Sequence, residues 1–310
     1  MNTPSVSVVI PTYRRRRHLA GIVAAVAADP YPREIVVVVD GSADGSLELL
    51  RELAVGEPRI VPLWQDNRGQ GAARQAGVER ATGEVVLLLD DDVLAGPGLA
   101  AGHARAHAGR ERAVVLGYMP TRRPEPRGPG DYPAWLYAED YERACAAYEA
   151  DPGSVITHLW AGNLSLRRAD ALAVGLDGGP GLVRHEDRAF GLRCARAGLT
   201  GVFDRSLAAT HLHGQSPAGF RRQFFEQGRS RRKLASLFPE YVTAVDPLTQ
   251  VPGRLRTAVS LLTAAGAPAR ALLRGGIRAA GAVHAWGPQI AGARLLRQVE
   301  LARGFRQPEK

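Results

Sequence analysis

With 310 residues, 45% of them apolar and 23% charged, the chain has the make-up of a globular protein, long enough for one large domain or a domain with an appendage. Cys145 and Cys194 lack metal-ligand spacing and exclude a disulfide scaffold; no apolar run reaches bilayer length, and Met1-Asn2-Thr3-Pro4 leads into a strand without a signal segment, so a cytoplasmic protein is expected. The formal charge of +9 is lopsided: residues 221–310 hold 16 Lys+Arg against 5 Asp+Glu, whereas residues 1–220 hold 24 against 26.

Residues 5–10 predict a first strand that ends at Pro11-Thr12-Tyr13. A helix over residues 16–28 follows, with Leu19, Ile22, Val23 and Val26 at helical spacing. Residues 34–39 form a second strand, stopped by Asp40-Gly41-Ser42, and a helix starts near Ser46 with Leu47, Leu50 and Leu53 inward. Residues 59–64 make a third strand, and Asn67-Arg68-Gly69-Gln70-Gly71 opens a helix through Arg80. Val85-Val86-Leu87-Leu88-Leu89 is a fourth strand, apolar throughout and so buried on both faces, as in a parallel sheet covered by helices. This β-α alternation predicts an α/β fold with a mostly parallel, doubly wound sheet. Thr12, Tyr13, Asp40 and Asp90 then share the edge where such sheets bind ligands.

Asp90-Asp91-Asp92 follows the fourth strand. Side chains alternate along an extended chain, so Asp90 and Asp92 are expected on one face and Asp91 on the other. Two convergent carboxylates suit Mg²⁺ or Mn²⁺ carrying phosphate oxygens; the alternative is a solvated acidic turn. The first loop lacks a dinucleotide glycine fingerprint, and the chain has no GxxxxGK[ST] phosphate loop.

Residues 116–153 read as irregular and rich in Pro, Gly, Arg and aromatics, either a lid, an acceptor-binding segment or an ordinary surface excursion. Residues 160–168 are a short strand feeding a helix, and Gly178-Gly179-Pro180-Gly181 is a flexible loop. His185-Glu186-Asp187 opens a helix with Phe190, Leu192 and Cys194 inward, residues 200–203 form a strand, and His211-Leu212-His213 closes the core. Asp187 is either a helix-end acid or a general base; the helix dipole lowers its pKa while Glu186 and other acids raise it. His211 and His213, at i and i+2 on one strand face, could each complete a metal shell with Asp92.

Residues 216–235 predict a helix with Phe220, Phe224 and Phe225 inward and an arginine-rich face. Residues 251–303 form an Ala/Leu/Arg-rich helical tract broken by Pro252, Pro268 and Pro288. Such a basic segment, with Trp286, either packs on the preceding domain or lies on an anionic membrane surface, which would make the protein peripheral at the inner face of a membrane. Nucleic-acid binding is disfavoured, because the tail lacks interleaved stacking aromatics. The expected domains are residues 1–235 and a basic helical extension, 236–310.

Seven segments, in order, resemble the GT-A-fold glycosyltransferases of the family 2 type across residues 5–232. They are Val-Val-Ile-Pro-Thr-Tyr (8–13), Val-Asp-Gly-Ser-Ala-Asp-Gly-Ser (39–46), Asn-Arg-Gly-Gln-Gly-Ala-Ala-Arg-Gln-Ala-Gly (67–77), Leu-Asp-Asp-Asp (89–92), Ala-Gly-Asn-Leu-Ser-Leu-Arg-Arg (161–168), His-Glu-Asp-Arg-Ala-Phe-Gly-Leu-Arg (185–193) and His-Leu-His (211–213). The resemblance implies a nucleoside-diphosphate-sugar donor, an acceptor hydroxyl, a divalent Mn²⁺ or Mg²⁺ and inversion at the anomeric carbon. It assigns Pro11, Thr12, Tyr13, Asp40, Arg74, Asp90 and Asp91 to the donor nucleotide, and Trp160, Gly162 and Asn163 to donor sugar or acceptor. Asp92 and Asp90 bind the metal in this scheme, with His211 or else His213, and Asp187, beside Glu186, acts as base. The chain departs from the family pattern at Val39, at Gln75 and at Val174-Gly175-Leu176-Asp177, where two acids, Asn and Gly-Gly-Phe-Asp are frequent. A non-catalytic nucleotide-sugar-binding or scaffold protein of the same fold is the alternative; a nucleotidyltransferase is disfavoured by the Pro-Thr-Tyr loop.

Overall fold

β1 (Val6–Thr12), β2 (Glu34–Asp40), β3 (Ile60–Gln65) and β4 (Val85–Leu89) alternate with α1 (Arg16–Ala27), α2 (Ser46–Gly56) and α3 (Gln70–Arg80) in a computed structural model that describes residues 3–177, 182 and 184–307. The expected loop at residues 178–181 lies outside the described residues. β5 (Val93–Ala95), α4 (Leu99–His107), β6 (Ala113–Tyr118), α5 (Tyr132–Ala150), α6 (Ser154–Thr157), β7 (Asn163–Arg167), α7 (Arg168–Val174), α8 (Glu186–Arg196) and β8 (Thr200–His211) follow. The sheet order is β3-β2-β1-β4-β7-β6-β8-β5. The first four strands are parallel, as expected. β7 then runs antiparallel between β4 and β6, and β5 runs antiparallel to β8.

The apolar runs of the central strands are explained by two cores, one on each face of the sheet. Val8, Ile10, Val37, Leu87 and Leu89 belong to one, while their neighbours Val9, Val36, Val38, Val86 and Leu88 belong to the other. Each strand residue is therefore covered whichever way it points.

Three sequence expectations change. The supposedly irregular stretch 116–153 holds the end of β6 and the 19-residue α5. Tyr132, Leu136, Tyr141, Cys145 and Tyr148 recur at helical spacing and are all buried, and Pro133 fits because it stands in the first turn. The last strand runs on to His211, well past residue 203. Finally, the tail prolines start helices instead of interrupting them. Beyond α9 (Pro217–Leu237) and a 3₁₀ turn (Pro247–Gln250) come α10 (Gly253–Ala264), α11 (Gly266–Ala282) and α12 (Trp286–Arg306). Pro252 is the N-cap of α10, and Pro268 and Pro288 stand in the first turns of the other two.

Packing divides the chain into two units. The first holds the whole sheet, up to Arg122, from Tyr141 onward, and at Asp187–Leu212; the second gathers Arg123–Asp140, the segment ending at Glu186, and the chain from His213. Along the tail the second unit begins at His213 and so takes in α9, which packs on α12, together with the helices beyond residue 236. Within the second unit Tyr132, Leu136, Phe220, Ile277, Ala293 and Leu296 form a core. Arg294 and Arg297 of α12 reach Glu139 and Asp140 at 2.6 and 2.8 Å. The α9–α12 crossing depends on two glycines: a side-chain carbon at Gly228 would run into the Leu301 carbonyl, and one at Gly304 into the Phe225 carbonyl. Gly304→Val is therefore expected to lower the urea midpoint of unfolding by the equivalent of about 1–3 kcal/mol or more. Gly275→Ala in α11, where an added carbon meets nothing, should stabilise by roughly 0.5–1 kcal/mol.

Candidate active site

The acids after β4 do not continue the strand. The Val93 N–H donates to the Asp90 carbonyl at 3.0 Å, so Asp90, Asp91 and Asp92 lie on a turn. Extended-chain alternation lapses there, and each carboxylate meets a different partner. Asp91 Oδ2 accepts the Thr12 hydroxyl at 2.8 Å. Asp90 Oδ1 accepts from Arg74 Nη2 at 2.6 Å and from Gln70 Nε2 at 2.8 Å. Asp92 lies 3.2 Å from Arg15 Nη2 and, through its other oxygen, 3.3 Å from His211 Nε2. Strand pairing explains that last approach, because β5 and β8 align Val93 with His211, and the Leu212 N–H donates to the Asp92 carbonyl at 2.7 Å.

Arg15 also approaches Asp91, with Nε at 3.9 Å, so the expected pairing of Asp90 with Asp92 is replaced. Asp91 and Asp92 share Arg15, and Asp90 faces Arg74. Burial pushes the Asp91 carboxyl up to about 6, against the Thr12 hydrogen bond and the Arg15 charge, which lower it.

Arg74 joins the strand tip to the second acidic position. Its Nη1 lies 3.3 Å from Asp187 Oδ1, and Asp187 Oδ2 accepts the Ala161 N–H at 3.2 Å. Burial works against the Arg74 charge, but Asp90 and Asp187 outweigh it and raise its pKa above the ordinary value. The Asp187 side chain keeps 35% of its surface open, yet protein surrounds it closely enough for desolvation to raise its pKa; Arg74 opposes the shift and Asp90 adds to it. Among the nearby acids expected to raise it, Asp90 acts on Asp187. Glu186 is the first residue of α8. Asp187 spends hydrogen bonds on α3 and on the segment before β7, which is more than a helix-end acid requires.

Other expected residues fall into two groups. Thr12 and the exposed Tyr13 stand at the end of β1, after Pro11 within it. Asp40, 4% exposed, accepts from the Arg68 and Gly69 N–H groups at 2.9 Å and from Gln65 Nε2 at 2.7 Å, so most of its acceptor capacity orders the 65–69 loop. Trp160 packs edge-on against Tyr141 at 5.4 Å. Gly162 has φ +133°, donates no side chain into the space beside Met119 and Asp90, and gives its carbonyl to the Asp90 N–H at 3.1 Å. Only glycine fits that approach.

Two assignments are corrected. Asn163 is fully buried, with its side chain 2.9 Å from His103 Nε2 and 3.0 Å from the Leu207 carbonyl, so it supports the sheet from within and presents nothing to a sugar. His213 lies beyond β8, not on a shared strand face with His211, and its ring stacks on Tyr137 at 4.0 Å. The two family departures at Gln75 and residues 174–177 prove to be one contact, since Gln75 Oε1 accepts the Leu176 N–H at 2.9 Å.

Sequence reasoning missed Arg15, Gln70 and the pair His103 and His107. A run of four arginines, 14–17, was the available signal for the first. His103 Nδ1 and His107 Nε2 lie 2.7 and 2.9 Å from the Ser165 hydroxyl.

For a divalent cation, Asp92 and His211 offer one hard oxygen and one imidazole nitrogen, a set that suits Mn²⁺ or Mg²⁺ when diphosphate and water supply the remaining positions. Among the described residues no three His, Cys, Asp or Glu converge as a protein cage. The donor set therefore fits an ion that arrives with a phosphate-bearing ligand. Asp90 is engaged by Arg74 and Gln70.

A parallel half-sheet continued by antiparallel strands, with acids at the tip of β4, is the GT-A form of the α/β fold, here carrying a helical C-terminal extension. A mannosyltransferase from Pyrobaculum calidifontis, solved with GDP-Man and Mn²⁺, superposes with a TM-score of 0.61 at 19% identity, covering 97% of this chain and 88% of that one. The family model described as Glycosyl transferase family 2 matches residues 7–167. The chain belongs to that family. An uncharacterized glycosyltransferase of Nostoc sp. is 43% identical over 89 residues, 28% of this chain and 28% of the relative. An undecaprenyl-phosphate 4-deoxy-4-formamido-L-arabinose transferase of Aeromonas hydrophila is 40% identical over 94 residues, 28% of this chain and 29% of the relative. The match thus spans under a third of these relatives' length.

Burial lowers both His103 and His107 to about 4, so both are neutral in the fold at pH 7. Their stabilising contribution is complete above the unfolded histidine value near 6.5 and is lost as pH falls from there toward 4, by roughly 3 kcal/mol for each. Urea midpoints measured across that range should fall steeply, and replacing both histidines by Gln should flatten the curve.

Proposed function

We propose that the protein is an inverting glycosyltransferase that moves a sugar from a nucleoside-diphosphate-sugar to an acceptor hydroxyl, with Asp187 as general base. The observation that carries this reading is the Arg74 bridge, because it brings the candidate base and the acid-rich strand tip onto one buried cation. Family membership supports the same reaction class. The sugar, the nucleotide base and the acceptor, whether small molecule, lipid-linked or polymeric, are left open.

In this mechanism the nucleoside end lies along Pro11, Thr12 and Tyr13, with Asp40 holding the neighbouring loop and Asp91 held by Thr12. Asp92 and His211 would hold the divalent ion, which when bound neutralises charge on the departing diphosphate. Asp187 accepts the acceptor's hydroxyl proton as the oxygen attacks the anomeric carbon from the side opposite the leaving group. Its raised pKa makes it a stronger base than an ordinary carboxylate, and its bonds to Arg74 and Ala161 fix its orientation. Arg74, itself neutralised by two acids, steadies the base without competing for the proton. Trp160 borders this region and Gly162 leaves it open. The basic tail is proposed to lie against an anionic membrane surface; among the described residues no helix is long and apolar enough to cross a membrane.

Calorimetric titration with UDP-, GDP- and dTDP-sugars, in Mn²⁺ and then in EDTA, tests the donor side. Metal-dependent binding of one donor is expected, and absence of binding by all would favour a scaffold role. Asp187→Asn should reduce transfer by about 10²–10⁴-fold with donor affinity nearly unchanged, whereas Asp92→Ala should weaken donor binding in Mn²⁺. Wild-type transfer rates in Asp187→Asn would refute the base assignment.

A further inference from the structure

The second unit contains a cavity of about 150 Å³ floored by Pro129, Tyr132 and Ile277 and bordered by Arg221, Arg274 and Arg278. Arg274 and Arg278 are one turn apart on α11 and flank Ile277, so one helix face lines the cavity with two arginines and an apolar residue. Arg221 comes from α9, where its Nη1 donates to the Pro217 carbonyl at 3.3 Å. Tyr132 is held in place by Phe220, edge to face at 5.4 Å. Burial raises the Tyr132 pKa, and Arg221 and Arg278 both act to lower it, which puts their charges within electrostatic reach of the phenol. Among the described residues, no carboxylate lines the cavity.

Three arginine side chains border one largely apolar space, and an anion at its mouth would find positive charge on more than one side. The planar fork of guanidinium matches phosphate oxygens in pairs, and three forks exceed what a single carboxylate can satisfy. The cavity is smaller than the roughly 300–1,000 Å³ that encloses a whole drug-sized ligand, so it accommodates a headgroup with the rest of the molecule outside.

We propose that this cavity is a binding site for a phosphoryl group, held by Arg221, Arg274 and Arg278 over the apolar floor. The site neither uses nor requires the residues assigned to sugar transfer. The sequence around it is strongly cationic. From Pro247 to Val299 the sequence has seven arginines and no acid. A lipid headgroup and a free phosphate present the same chemistry, and the test distinguishes them.

The full chain is titrated with inorganic phosphate against chloride at matched ionic strength, following the melting temperature. It is also sedimented with phosphatidylcholine vesicles with and without phosphatidic acid. Arg278→Gln, at the cavity, is compared with Arg254→Gln, an exposed arginine of α10 outside it, so each removes one charge. The expected result is about a tenfold loss of phosphate or phosphatidic acid binding in Arg278→Gln and less than about twofold in Arg254→Gln. Sensitivity seen with inorganic phosphate identifies a free phosphate as sufficient, and sensitivity seen only with vesicles identifies a lipid headgroup. Equal losses in the two variants would leave general attraction to a membrane in place and overturn the cavity site. So would the absence of binding to both probes. Donor binding, measured on the same variants, should be unchanged, which separates this result from the glycosyltransferase reading.

Discussion

A guanidinium as enclosed as that of Arg74 is costly unless countercharges meet it, and here two do. Much of the first unit's geometry follows from that requirement. α3 supplies the cation, the turn after β4 supplies Asp90, and the start of α8 supplies Asp187, which in turn takes the Ala161 N–H ahead of β7. Four segments separated by up to 113 residues of sequence are thereby fixed to one charge. The strand tip itself is backbone in origin: the Asp90–Val93 turn and the β5–β8 pairing set where the three carboxylates diverge, and side chains from elsewhere choose among them.

The parallel half of the fold was legible because burial on both faces leaves a plain mark, an apolar run too short to be a helix and bounded by turn residues. The acid cluster was legible as a cluster but not as geometry. Whether Asp90 faces Asp92 or Arg74 depends on Arg15, Gln70, Arg74 and His211, none of which is local to the turn. Asn163 was misread for a related reason. Its partner His103 stands 60 residues away, and a buried polar network gives no periodic signal. α5 escaped notice because aromatic residues and Pro133 resemble loop composition, although the spacing of its buried residues is helical. His213 was placed by assuming that the strand continued past His211, where it ends.

The second unit follows a different packing rule. Its helices meet through glycine backbone contacts at Gly228 and Gly304, and through the pairs Arg294–Glu139 and Arg297–Asp140. Those acids come from α5, because α11 and most of α12 contain none. The charge excess of the tail is thus partly internal, spent on holding α12 to α5.

The rest has a consequence for how that surface responds to its medium. Between Asp246 and Glu300 the ionisable side chains are arginines and the single His284. Guanidinium keeps its proton throughout the physiological range, so apart from one imidazole the charge of this 53-residue stretch is fixed. Acidification that titrates the carboxylates and histidines of the sheet leaves it almost unaltered. Its reach is set instead by dissolved ions, which confine the field to about 8 Å at physiological salt and let it extend further as salt is diluted. The stretch is a constant source of charge whose range, not strength, is adjustable.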